Sequence, residues 1–159
     1  MNNGSRFTTA KYIVTAVLVV FVLVMAVSGR ESTKSFSEIA QALEARTNSA
    51  SLQTAAGGDL KRLYGLDPAD YEGVLLKTAV SGMSAEELLF ITLKDKSQLP
   101  AVESAINQRL AERSSIFEGY APEQARLVED ARIITRGRQV FLVISADADN
   151  FSRLFLSSL

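Results

Sequence analysis

From Tyr12 to Gly29 the chain carries no charged side chain, and Ile13 to Val27 is apolar apart from Thr15. As an α-helix this run would cover roughly 27 Å at about 1.5 Å per residue, close to the hydrocarbon thickness of a bilayer. Arg6 and Lys11 precede it, and Arg30, Glu31 and Lys34 follow it. The run therefore predicts a transmembrane anchor over 12–29, with residues 1–11 as a short cytoplasmic tail. Everything beyond it is expected outside the cell, as a single-pass protein of the cell membrane. A cleaved signal peptide is the alternative, because Ala26-Val27-Ser28 supplies small residues ahead of Gly29. The body would then be secreted. On either reading the same part ends up outside.

What the composition lacks is as informative. There is no Cys, His or Trp, and the net charge is −1. Disulfide stapling and lipid attachment through a cysteine are excluded. So are Ser-His-Asp triads, Cys-His pairs and His-ligated zinc. Charges of both signs are mixed along the chain, so no basic face predicts a nucleic-acid partner. No residue pattern calls for a cofactor.

After the apolar run, Ser35-Phe36-Ser37-Glu38 has the spacing of a helix capping box. Phe36, Ile39, Ala40 and Leu43 then share one face at helical spacing, which predicts a helix packed on the domain rather than a stalk partnering another copy. Asn48 to Gly58 is small and polar, a flexible connection. A short helix opens at Asp59 and ends at Gly65, and Asp67-Pro68 starts a turn. Val74 to Val80 reads as a strand with Val74, Leu76, Thr78 and Val80 toward the core, and Leu88 to Lys94 reads as its antiparallel partner. The longest helix is expected from Gln98 to Phe117, capped by Ser97, with Leu99, Val102, Ile106, Leu110 and Phe117 as its stripe and Arg109 and Arg113 largely off it. A short helix follows from Pro122 to Asp130. Arg132–Arg136 and Gln139–Ser145 flank Gly137-Arg138, a two-residue turn with Gly first, as in a type II′ hairpin. Asp147 or Asp149 would cap a final helix carrying Phe151, Leu154 and Phe155.

Paired strands separated by helices predict an α+β fold: a mainly antiparallel four-stranded sheet, built from two strand pairs, with helices packed on one face. The expected division is an anchor, a helix and flexible linker over 30–58, and an α+β domain over 59–159.

Carboxylates are the acid–base groups this chain could use near neutrality, so an enzyme here would resemble a glycosidase. The visible pairs are Asp67 with Asp70, Glu86 with Glu87, and Asp147 with Asp149. Each falls at an expected helix start or turn, where an acidic side chain stabilises free N–H groups. Asp147-Ala148-Asp149-Asn150 opens like a calcium loop but lacks its Gly and its distal Glu, so no metal site is expected. Arg132, Arg136 and Arg138 gather near the hairpin and could meet an anionic wall polymer or lipid headgroup, though a solvated turn is the simpler account of them. Tyr64, Tyr71 and Tyr120 are expected to close the core edge with their hydroxyls in water. No catalytic, cofactor-binding or metal residue is assigned.

Leu63-Tyr64-Gly65-Leu66-Asp67-Pro68-Ala69-Asp70-Tyr71, followed by Met83-Ser84-Ala85-Glu86-Glu87-Leu88-Leu89-Phe90, resembles the bacterial domain-of-unknown-function family number 4358. Tyr120-Ala121-Pro122 after a long helix, and Arg136-Gly137-Arg138-Gln139-Val140 before an apolar strand, fit the same pattern over about residues 59 to 155. The resemblance implies an exported or membrane-tethered domain of gut-type Gram-positive bacteria, without an assigned activity or a site residue to transfer. Many members look like lipoproteins; this chain departs from them in having no cysteine. Together these features lead to a non-enzymatic binding or interaction module at the cell envelope, held to the bilayer by 12–29 and meeting an envelope protein or wall component. A carboxylate-dependent hydrolase of wall glycan and a homo-oligomeric membrane-associated assembly are the alternatives.

Overall fold

Two apolar strands in the middle of one sheet decide the architecture. The computed structural model describes residues 34–47 and 51–159. The expected transmembrane segment over 12–29 and the tail before it lie outside the described residues. Among the described residues no helix is long and apolar enough to cross a membrane. The chain divides after Glu31, and Ser32–Leu159 forms a single unit.

In chain order the elements are α1 (Phe36–Arg46), β1 (Leu52–Thr54), α2 (Asp59–Tyr64), β2 (Gly73–Ala79), β3 (Glu87–Thr92), α3 (Leu99–Glu118), α4 (Pro122–Glu129), β4 (Arg132–Arg136), β5 (Gln139–Ile144) and α5 (Ala148–Ser158). Short 3-10 turns at Pro68–Asp70 and Lys96–Gln98 precede β2 and α3. The sheet is antiparallel throughout, in the order β1-β2-β3-β5-β4.

β3 and β5 are buried at every position. Leu88-Leu89-Phe90-Ile91 and Val140-Phe141-Leu142-Val143-Ile144 show no alternation with polar residues, so neither face of the sheet can be left to water. One face carries Leu76, Leu89, Ile91, Val140, Leu142 and Ile144 against α2, α3 and α4. The other carries Leu75, Leu88, Phe90, Phe141 and Val143 against Ile39, Ala40 and Leu43 of α1 and Phe151 and Phe155 of α5. The expectation of helices on one face is thereby corrected: they cover both. The strand count is also five rather than four, because β1 lies inside the stretch read as a linker. Its Leu52 is buried, and its three residues pair with Lys77, Thr78 and Ala79.

On the α1/α5 face the rings form a continuous stack. Phe36 lies parallel to Phe90 at 5.1 Å, Phe90 meets Phe155 edge-on at 5.6 Å, and Phe155 stacks on Phe141 at 4.6 Å. Each such pair adds about 0.5–1.5 kcal/mol beyond its buried area. Gly73 sits directly under the Phe36 ring, where an added Cβ would fall 2.3 Å from Cγ of that ring. The helix at 36–46 is thus packed on the sheet, and its expected capping box is present: Ser35 Oγ accepts from Glu38 N while Glu38 accepts from Ser35 N at 2.8 Å.

Other local expectations were met with adjustments. Gly137 and Arg138 form the two-residue hairpin loop, and Gly137 at φ 60 supplies the positive φ that a II′ turn requires at its first position. Asp95 rather than Ser97 caps the turn into α3, its carboxylate accepting from Ser97 N at 2.8 Å. Asp147 stands at the start of α5 without capping it through its side chain. Val80, read as core-facing, is exposed, since β2 ends at Ala79.

Candidate functional site

The stripe of α3 is interrupted. Val102, Ile106 and Phe117 are buried against the sheet, and Arg109 and Arg113 occupy the turns between Ile106 and Phe117 on the same side. A cation placed there must be neutralised or reach water. Arg109 does the former. Its Nε donates to Glu87 Oε1 at 3.1 Å and its Nη2 donates to Oε2 at 2.6 Å, a two-pronged pair between side chains 10% and 1% exposed. Glu87 opens β3 and shares the sheet face of Leu89 and Ile91. The hydroxyl of Tyr64, the last residue of α2, donates to Glu87 Oε1, and the Arg109 guanidinium lies 5.9 Å from the Tyr64 ring centre.

Burial, then the charge and hydrogen bond of Glu87, push the Tyr64 hydroxyl well above the ordinary tyrosine value. For Arg109, burial pulls the pKa down, but the hydrogen bond and charge of Glu87 outweigh it and the net direction is up. Both oxygens of the Glu87 carboxylate are already held by donors.

Arg113, one turn further along α3, has no carboxylate partner among the described residues. Its Nη2 donates to the Ser84 carbonyl at 2.7 Å, and its guanidinium lies 4.9 Å from the Phe117 ring centre. Its Nε is buried without an acceptor, a situation that costs on the order of 1–3 kcal/mol. Burial and then the neighbouring Arg109 charge lower its pKa. Arg62 of α2 completes the arrangement; it is 68% exposed and paired with Asp59 at 2.6 Å. These groups line a cleft of about 280 Å³ between α2, the β2–β3 turn and α3, walled by Arg62, Thr78, Ser84, Glu87, Arg109 and Arg113. Three guanidiniums line it against one carboxylate. Such a lining suits holding an anion and does not suit proton transfer.

A larger hollow of about 490 Å³ lies on the other face, beside Arg46, Glu86, Ser145, Asp147 and Phe151. Arg46 pairs with Asp147 at 2.9 Å, and Ser145 Oγ donates to Glu86 at 3.4 Å, which leaves one carboxylate in excess. It offers an anion no free cation.

The carboxylate pairs of the sequence are not brought together as catalytic pairs. Asp67 caps the 3-10 turn, accepting from Ala69 N at 3.0 Å, while Asp70 is exposed. Glu86 and Glu87 separate, one toward the hollow beside α5 and the other into the Arg109 pair. Asp147 goes to Arg46 and Asp149 to Arg132 at 3.1 Å. The hairpin arginines also disperse. Arg132 and Arg136 stand at opposite ends of β4, roughly 13 Å apart, and Arg138 pairs with Glu72 at 2.8 Å. Of the tyrosines, Tyr120 is exposed as expected, but the Tyr64 hydroxyl is committed to Glu87 rather than to water. The Tyr64–Glu87–Arg109 group is not expected from the sequence, and the expectation that Arg109 and Arg113 lie largely off the stripe is corrected: at three and seven residues beyond Ile106 they fall on its buried side.

A five-stranded antiparallel sheet covered on both faces, with an arginine-lined cleft at one end, defines the class of domain. A family described as Domain of unknown function (DUF4358) matches residues 45–145, the whole sheet and the entire cleft, and the chain belongs to that family. No curated protein and no solved structure matches it.

Proposed function

We propose that the chain is a non-enzymatic interaction module of the cell envelope, tethered to the membrane by residues 12–29, and that it engages its partner at the Arg62–Arg109–Arg113 cleft. The excess of guanidiniums over carboxylates in that cleft carries the reading. The charge-free run from Tyr12 to Gly29 supports the tether.

A glycan hydrolase needs two carboxylates facing each other across a groove. The cleft lining has one, and it is fully engaged by Arg109 and Tyr64. Self-assembly through the β4 edge is disfavoured by charge. Antiparallel pairing of two copies centred on Ile134 would set Arg132 opposite Arg136, and like charges directly across a ladder destabilise it.

The reading is tested by crosslinking intact cells and purifying the chain from detergent-solubilised membranes. A discrete envelope component should accompany the native chain and be depleted when Arg62→Glu and Arg113→Glu are introduced together. Release of sugar from purified wall material by the native chain, abolished in Glu87→Gln, would overturn it in favour of catalysis.

A further inference from the structure

We infer that the cleft receives a single anionic oxyacid group, a carboxylate or a phosphate, borne at the end of a larger ligand and held by Arg113 with Arg62 facing it. This deepens the interaction-module reading and rests on it.

The size of the cleft sets the first limit. At about 280 Å³ it lies just under the range that encloses a whole small molecule, so it suits one functional group with the remainder outside. The charge sets the second. Arg109 is consumed by Glu87, and Arg62, largely exposed, is paired through Nε and Nη2 with Asp59, which does not line the cleft. Arg113 is left with one neutral acceptor, the Ser84 carbonyl, and an Nε that has none. Two arginines one turn apart on α3 repel, and Glu87 answers only Arg109. An oxyanion in the cleft would meet the side of the Arg113 guanidinium that lines it, since planar guanidinium matches carboxylate and phosphate in two-pronged fashion, while the enclosed Nε stays without an acceptor. Thr78, Ser81 and Ser84, which also line the cleft, add short polar side chains at its rim.

The experiment uses the full chain in detergent micelles, titrated separately with acetate, inorganic phosphate and neutral acetamide. The arginine Nε–H resonances are followed by NMR, assigned through Arg62→Lys and Arg113→Lys. A saturable shift of the Arg113 resonance with acetate, phosphate or both is expected, with none from acetamide. A response to acetate alone identifies a carboxylate ligand, and a response to phosphate alone identifies a phosphate ligand. Arg113→Gln should weaken the binding at least tenfold, and Arg62→Gln, at a largely exposed position outside the core, should weaken it several-fold. An equal response to acetamide, no saturable response to either anion, or unchanged affinity in Arg62→Gln would overturn the inference. Capture of an envelope component that depends on the cleft, together with silence in this titration, would leave the interaction module standing and remove the anion.

Discussion

Glu87 and Arg109 are worth separating from the rest because their energetics run opposite to intuition. A buried ion pair gains little over a well-packed apolar replacement, yet removing one partner strands the other. Glu87→Gln should therefore cost about 3–5 kcal/mol of stability by urea unfolding, while Glu87→Met combined with Arg109→Met should cost much less. A single-variant loss under about 1 kcal/mol would show that Arg109 finds water instead. Tyr64 adds a pH signature. The folded chain holds its proton more tightly than the unfolded chain does, so this contribution is complete below about pH 10 and declines as pH rises from there toward the raised folded value. Tyr64→Phe should flatten the alkaline fall in the urea midpoint, leaving the part due to Tyr71, whose value is also raised, by burial and the Asp70 charge. An unchanged alkaline slope would contradict the assignment. The sequence singles out each of these residues separately, Glu87 beside Glu86, Tyr64 among the tyrosines and Arg109 on the long helix, but not their meeting. Glu87 lies 22 positions from Arg109 and 23 from Tyr64, and only the sheet brings them together.

At the scale of elements, what was legible followed from local pattern. The β4–β5 hairpin could be read from two β-branched runs around Gly137-Arg138, and α3 from its spacing, because turn chemistry and periodicity act within a few residues. β1 was not legible: three residues with one apolar side chain carry no periodicity, and its pairing with β2 is set by tertiary context. The two-faced covering was implicit in β3 and β5, whose unbroken apolar runs exclude a wet face. α1 is the element on which this bears most. If it belongs to the sheet, Leu43→Ala, at a fully buried position, should destabilise the whole domain by about 2–5 kcal/mol in a single cooperative transition. Were α1 only part of the tether, unfolding of the sheet would be unaffected.

For the whole molecule the proposal joins a membrane run, a helix-covered sheet and a cleft with an excess of guanidiniums. Orientation can be checked cleanly because the chain has no native cysteine. A thiol introduced by Met83→Cys, at a position 71% exposed, should react with membrane-impermeant maleimide on intact cells. Labelling only after permeabilisation would place the domain on the wrong side. The central claim, that the partner is met at the cleft, is tested most directly by photocrosslinking in living cells. Benzoylphenylalanine replaces Met83, beside Ser84 at the cleft, or Leu156, exposed on α5 across the sheet. The account predicts a discrete adduct from position 83 that disappears with Arg113→Glu, and none from position 156; equal adducts from both positions, or an adduct from 156 alone, would contradict it.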